Sequence, residues 1–496
     1  MRAQVVLLNP DFSPRPSEGI DWQVEQMSWQ LAGGAAKASL SAIRGRFSDE
    51  WFSTFSDQIL GLPLEIRGAD GEVLWNGWVQ TISYSGRGAR LTRSLQEMYN
   101  RVIVRYPCQN PQLSPLERWQ YTGWMDAADS QAHFGRREKL VSISQADPYL
   151  ANQSLLAAFH ALQSRPSLRI EADPAGKEGR LEMNCRGWWQ RLDWVLDANP
   201  QGMLAHLSGG KSQVLLGRLA SQAQVAQSFW NAETDFRLGQ IWLRAAIIGQ
   251  SVDDLQVAVH ADEHGKPGVL LSQVEHAATS LDGGWQWHCW QLAEPCLLAV
   301  NENNWIVIKR SGSINSEVYY LLESDDGNGY AGGVLKRWDG SNWQTLGQDL
   351  RFCLIAHEPS SVLLSNLLGS EKCSGFIRGV LTPPLSQEPD RMLPRWRPLA
   401  LSYRARIEGW LQGVPRQSAF VDAQRNLQVI ALPRAGAEFN ISSMKPASIN
   451  RLNAALYSGN NLLGCPVFND FTAANENWVQ AVQWRQGKGY SWQFQA

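Results

Sequence analysis

Three stretches decide the fold class: Ile241-Trp242-Leu243-Arg244-Ala245-Ala246-Ile247-Ile248, Leu255-Gln256-Val257-Ala258-Val259-His260 and Trp305-Ile306-Val307-Ile308-Lys309. Each is a short run rich in β-branched and aromatic residues, bounded by turn-forming Gly, Asp or Asn, which is the composition of strands. Trp285 to Leu292, Val318 to Leu322 and Leu350 to Ile355 repeat the pattern. From about residue 222 to residue 357 the chain offers little else. Short strands broken this often by turns predict an all-β sandwich of jelly-roll size.

Outward from that segment the pattern becomes mixed. The first hundred residues read as strands: Val5 to Leu8, Trp29 to Ala32, Pro63 to Arg67, Val73 to Trp75, Trp78 to Tyr84 and Ala89 to Leu95. Ala69-Asp70-Gly71 and Gly86-Arg87-Gly88 supply hairpin turns, and a barrel or sandwich is the natural way to bury so many short strands. Leu116 to His133 has the composition of a short helix. Asp147-Pro148 reads as a cap followed by proline in the first helical position, with Leu150, Leu155, Phe159 and Leu162 as an apolar stripe. Strands resume at Ser167 to Ala172 and Leu181 to Trp189. Beyond 357, helices are expected at Ser360 to Leu368, Leu399 to Leu411 and Ala447 to Tyr457. Hairpins are expected around Ala423 to Asn426 and between Trp478 to Trp484 and Tyr490 to Phe494. The two flanks resemble each other in style more than they resemble the middle, so the β segment reads as interrupting a larger α+β unit.

Composition bounds the function. The chain has 496 residues, which suggests about three domains at roughly 150 residues each. Lys and Arg number 45 against 47 Asp and Glu, a formal charge of −2, so no cationic excess points to nucleic acid. The 23 Trp outnumber Tyr and Phe individually, which favours strand-rich architecture and extensive interfaces. The seven Cys are scattered and include no C-x-x-C spacing, so free thiols are expected in place of a disulfide framework or zinc site. The apolar run near Met1 is too short for a signal-peptide core or a membrane span, which predicts synthesis in a cytoplasm and no membrane insertion.

Motifs for chemistry are weak. His260 and His264 flank Asp262-Glu263 in a turn-rich stretch that reads as a solvated loop in preference to a metal site. Ser208-Gly209-Gly210-Lys211-Ser212 resembles a phosphate loop, but Ala205 stands where the motif needs its first Gly. Asp325-Asp326-Gly327-Asn328-Gly329 lacks the alternating acids of a calcium loop and reads as a polar turn. No nucleophile elbow is present, so the expectation is a non-enzyme without cofactors; a pair of carboxylates assembled in space is the arrangement left open. Of Trp285, Trp287, Trp290, Trp305, Trp338 and Trp343, most are expected in the sandwich core. Trp338 and Trp343, flanking Asp339-Gly340-Ser341-Asn342, are the surface candidates for stacking on a sugar ring, with Tyr330 as a further contact.

Several stretches resemble a known family. Gly77-Trp78-Val79, Ser94 to Val102, Asp129 to Glu138, Cys185 to Trp189 and Trp478 to Trp484 are similar to segments of phage tail proteins of the hub or tail-tip class, with Phe134 where the family has Tyr. Ala226 to Phe229, Asp262 to Gly268, Trp305 to Val307, Tyr330 to Gly333 and Asp349 to Phe352 resemble a jelly-roll module of phage tail and cell-surface proteins. The resemblance implies a mainly β fold with α+β parts: a barrel-like hub domain over 1–107, a mixed domain over 108–221, an inserted jelly roll over 222–357 and a C-terminal part completing the hub over 358–496. It implies a structural virion component of the distal tail, assembled as a ring, most simply a trimer. Distal tail or tube proteins, the tape measure and fibres would be its neighbours. A glycan-binding host-recognition protein without a hub role is the alternative.

Overall fold

The computed structural model describes residues 3–16, 19–30, 33–43, 49–108, 119–197, 202–207, 212–250, 253–276, 284–327, 329–370, 372–373, 375–381, 392–395, 400–411, 417–431, 466–467, 477–485 and 489–494. The chain is mainly β, with several sheets and few helices. The strongest sequence reading holds at its centre. Gln224–Asn231, Leu255–Asp262, Pro267–His276, Glu302–Arg310, Leu335–Trp338 and Trp343–Thr345 form an antiparallel sheet. A second sheet, built around Arg237–Ile248, Gln286–Leu297, Tyr319–Ser324 and Phe352–Pro359, packs against it.

Alternation along the strands makes the shared core. Val225, Val257, Val259, Ile306 and Ile308 point inward from the first sheet, and Leu238, Ile241, Leu243, Leu322 and Leu354 from the second. Met203–His206 pairs with Phe352–Pro359, and Ser212–Leu216 pairs with Tyr319–Ser324. Strand pairing in this unit therefore begins before residue 222. The tryptophans divide between faces. Trp290 faces the core and donates its indole N–H to the Leu255 carbonyl at 3.2 Å. Trp287 pairs with Arg244 on the opposite face, because three residues of strand reverse a side chain's direction. Trp305 is buried, but on the outer face. The expectation that most of these indoles fill the core is thus corrected.

The flanking segments make the body. Its largest sheet runs in the order Gln4–Leu7, Pro63–Arg67, Val73–Gly86, Arg180–Arg186, Gly33–Ile43, Gln23–Gln30, Asn477–Arg485, Pro466–Val467. No closed barrel exists among the described residues, which corrects the barrel expected over 1–107. Arg180–Arg186 lies between Val73–Gly86 and Gly33–Ile43, so a strand from later in the chain parts the N-terminal strands. Its alternation drives this: Leu181, Met183 and Cys185 are all fully buried. Gly187 then lets the chain turn against a neighbouring backbone, since a Cβ there would sit 1.6 Å from the Ala35 carbonyl oxygen. The strand ends at Arg186 and Trp188–Trp194 forms a 3-10 helix, where the sequence suggested continued strand.

Two further differences concern helices. Asp49–Ile59 is an α-helix inside the region read as all strand. Leu116 to His133 is not one helix: Trp119–Tyr121 and Met125–Asp126 are strands on Arg101–Pro107, and the helix is confined to Ala128–Phe134. The Thr122 hydroxyl accepts the Val104 N–H at 3.0 Å, and Arg105 lies 4.5 Å from the Trp119 ring centre, so strand pairing wins there. Pro148–His160 follows the expected cap, with Asp147 Oδ1 accepting the Tyr149 N–H at 2.8 Å. Ser360–Gly369 and Tyr403–Leu411 are helical and both hairpins form. The helix expected over Ala447 to Tyr457 lies outside the described residues.

Candidate functional site

The outer face of the six-stranded sheet carries the expected surface tryptophans. The alternation that sends Val225, Val257 and Ile306 inward sends Ala226, Ala258, Trp305 and Val307 outward, with Val334 and Trp343 packed over them. The small alanines leave room for the large indole. The hairpin holding Trp338 and Trp343 is pinned by Asp339, whose Oδ1 accepts the N–H of Ser341 at 2.8 Å and Asn342 at 2.7 Å, while Oδ2 accepts from Gln344 at 2.8 Å. These bonds, that from Asn342 foremost, hold the Asp339 carboxyl below its ordinary range.

Trp338 and Trp343 are directly cross-strand and meet edge to face with ring centres 5.5 Å apart. Beneath them the Trp305 indole donates to Asp262 Oδ1 at 2.6 Å, and Lys336 Nζ lies 5.4 Å from the Trp305 ring centre and donates to the Gly265 carbonyl. The half-buried rings of Trp338 and Trp343 form a face able to stack on a sugar ring, while the Asp262 carboxylate and Lys336 ammonium are engaged around the buried Trp305. Tyr330 packs elsewhere. Its ring lies 5.2 Å from Phe352 and 5.6 Å from His206, against the sandwich core, and burial raises its phenol above the ordinary value.

The polar turn read at Asp325 is held by that residue's own carboxylate. Asp325 is buried and accepts the N–H of Asp349 at 2.8 Å, Gly329 at 3.1 Å and Gly327 at 3.2 Å, with His206 Nε2 at 2.9 Å. Its oxygens are committed to fixing the turn. His260 Nδ1 donates to the Gly268 carbonyl at 2.8 Å, and His264 sits at a left-handed φ of 55° in the adjoining turn. Among the described residues no three His, Cys, Asp or Glu gather as a metal site. Residues 208–211 lie outside the described residues.

Sequence reasoning missed a cleft of about 1080 Å³ where the sandwich meets the body, lined among others by Asp197, Glu233, Glu358, Arg395, Tyr403 and Arg406. Arg395 bridges Glu233 on the sandwich and Glu358 at its exit, the latter at 2.7 Å. Arg406 pairs with Asp197 at 3.1 Å and donates to the Arg395 carbonyl at 2.9 Å. Burial pushes the Tyr403 phenol up to about 12. The carboxylates Asp197, Glu233 and Glu358 each face an arginine, the first within the body and the other two within the sandwich, and the bond from Arg406 to the Arg395 carbonyl crosses between the units. No sequence signal marks the cleft, because its residues come from five separated segments.

No protein-family model matches the chain, and no curated protein matches it. Among solved structures, it is similar to the cysteine protease and lectin-like domains of Cwp84 from Clostridium difficile at 9% identity, covering 65% of this chain and 63% of that one, with a TM-score of 0.23. It is also similar to a glycoside hydrolase family 43 arabinoxylan arabinofuranohydrolase from Bacillus subtilis at 12% identity, covering 58% and 63%, with a TM-score of 0.15. The chain thus spans less than two thirds of the length of either structure.

Proposed function

We propose that this chain is a structural component of a phage tail tip or baseplate, a hub-like subunit that assembles as a ring joining tail tube to tip. Its jelly-roll-like sandwich would face outward toward fibres or the host surface. The observation carrying this reading is that strands from both sides of the sandwich share one sheet: Gln23–Gln30 pairs directly with Asn477–Arg485. The sandwich is thereby a decoration borne by a body. The stretches Gly77 to Val79, Cys185 to Trp189 and Trp478 to Trp484, which carry the hub resemblance, all contribute to that body. Immunogold labelling of purified particles with antibody to residues 222–357 is the test. Label confined to the distal tip is expected, and absence of the protein from purified particles overturns the reading.

The Trp338–Trp343 pair favours a second reading, a glycan-binding surface for host recognition. The full-length chain should then bind host envelope polysaccharide, and Trp338→Ala with Trp343→Ala should weaken that binding at least tenfold without lowering the melting temperature of the body. Unchanged binding in the double variant would remove the basis for this reading.

A further inference from the structure

Ser167–Ala172 lies at the margin of the body sheet. It pairs antiparallel with Ala89–Ser94, and among the described residues no strand occupies its other edge. Ile170 stands directly opposite Leu91, so Leu168, Ile170 and Ala172 share the face whose Leu91 packs on the body core. Yet Leu168 is 54% exposed and Ile170 65% exposed. The core-side face of the sheet therefore continues past the material that covers it. On the other face, Arg169 and Glu171 sit side by side at 2.7 Å, their side chains 76% and 46% exposed.

An uncovered apolar edge invites strand addition unless something blocks it, and natural edges are usually blunted by proline, a bulge or charged side chains, which repel a second copy where they meet their own sign. Ser167–Ala172 has no proline and pairs with Ala89–Ser94 without a register shift. Its two charges have opposite sign and flank a central apolar residue. That pattern is self-complementary. If two such strands run antiparallel about a two-fold axis at Ile170, Ile170 meets the partner's Ile170 and Leu168 meets the partner's Ala172. Arg169 then meets the partner's Glu171, and Glu171 meets the partner's Arg169. The apolar residues of both copies lie on one face and two opposite-charge pairs on the other.

We propose that this edge is a self-association surface whose occupant is a second copy of the same chain, added antiparallel with Ile170 on the two-fold axis. Such a contact is isologous and closes after two copies, whereas a ring requires head-to-tail surfaces, so the proposal does not rest on the ring reading.

The test is sedimentation of the full-length chain across a concentration series, with charge reversals at exposed positions. Arg169→Glu and Glu171→Arg should each weaken the two-fold contact tenfold or more by setting like charges opposite one another. The double variant restores both pairs and should return the wild-type constant, which a merely destabilised strand would not do; circular dichroism melts check that each variant folds. Ile170→Cys should crosslink to itself under mild oxidation. The proposal is overturned by a chain that stays monomeric throughout, by single reversals that leave association unchanged, or by a double variant that fails to recover. A ring that persists unaltered through both reversals would overturn this contact and leave the hub reading standing. A protein missing from virions would do the opposite.

Discussion

At the scale of single residues, burial sets the chemistry. His357 is buried beside Gly239, where a Cβ would meet the imidazole at 2.3 Å, and burial lowers its pKa to about 4. The unfolded chain protonates this histidine near 6.5, and the folded chain resists protonation down to about 4. Between those values the unfolded state binds the extra proton, so stability falls as pH is lowered through that window and levels off below it. The slope from this group approaches about 1.4 kcal/mol per pH unit. Urea melts at pH 7, 5.5 and 4 should show a steeper loss in the wild type than in His357→Gln; parallel losses would assign the acid sensitivity elsewhere. Arg137 is likewise buried, with its guanidinium 3.3 Å from the Trp194 ring centre, and burial lowers its pKa well below the usual value.

At the scale of elements, what could be read from sequence followed local rules. The cap at Asp147 is one such case: replacing it by Ala should cost about 1 kcal/mol and speed amide exchange in the first turn of Pro148–His160. An unchanged exchange rate would show that packing alone holds that turn. Hairpins around Gly71, Gly88 and Arg425 were equally legible, because φ is positive at each and turn residues announce it. The central sandwich was legible because Ile241 to Ile248 and its partners alternate around two faces. Asp49–Ile59 was missed although Phe52, Phe55 and Ile59, all buried, stand at helical spacing; two aromatics and a run of strands nearby masked the period. The side on which an indole lands was not legible, since a shift of one residue reverses every direction along a strand. Of the candidate contacts, Trp338 and Trp343 meet because a turn of four residues makes them cross-strand neighbours. Tyr330 stands apart from them because its ring packs on Phe352, a contact between residues distant in the chain.

For the whole molecule, ion pairs line both sides of the joint between sandwich and body, and the bond from Arg406 to the Arg395 carbonyl crosses it. Arg395 reaches Glu233 and Glu358 together, and one buried oxygen of Glu358 has no hydrogen-bond partner among the described residues. Removing the arginine leaves a buried carboxylate uncompensated, which typically costs about 3–5 kcal/mol. Arg395→Ala should therefore lower the melting temperature of the sandwich in calorimetry. An unshifted transition would show that the pair adds nothing to the sandwich's stability. None of this joint could be read in advance, because its members are distant in the chain and ordinary in type.

The pairing of Gln23–Gln30 with Asn477–Arg485 also has a consequence in time. On a ribosome adding roughly 5–20 residues per second, the earlier strand emerges and then waits about 20–90 seconds for its neighbour. The sandwich, whose strands all lie between Met203 and Pro394, has every segment it needs roughly 4–17 seconds before that. Nascent chains should thus carry a finished sandwich on an unfinished body, with the interval between them the period in which chaperones have most to protect.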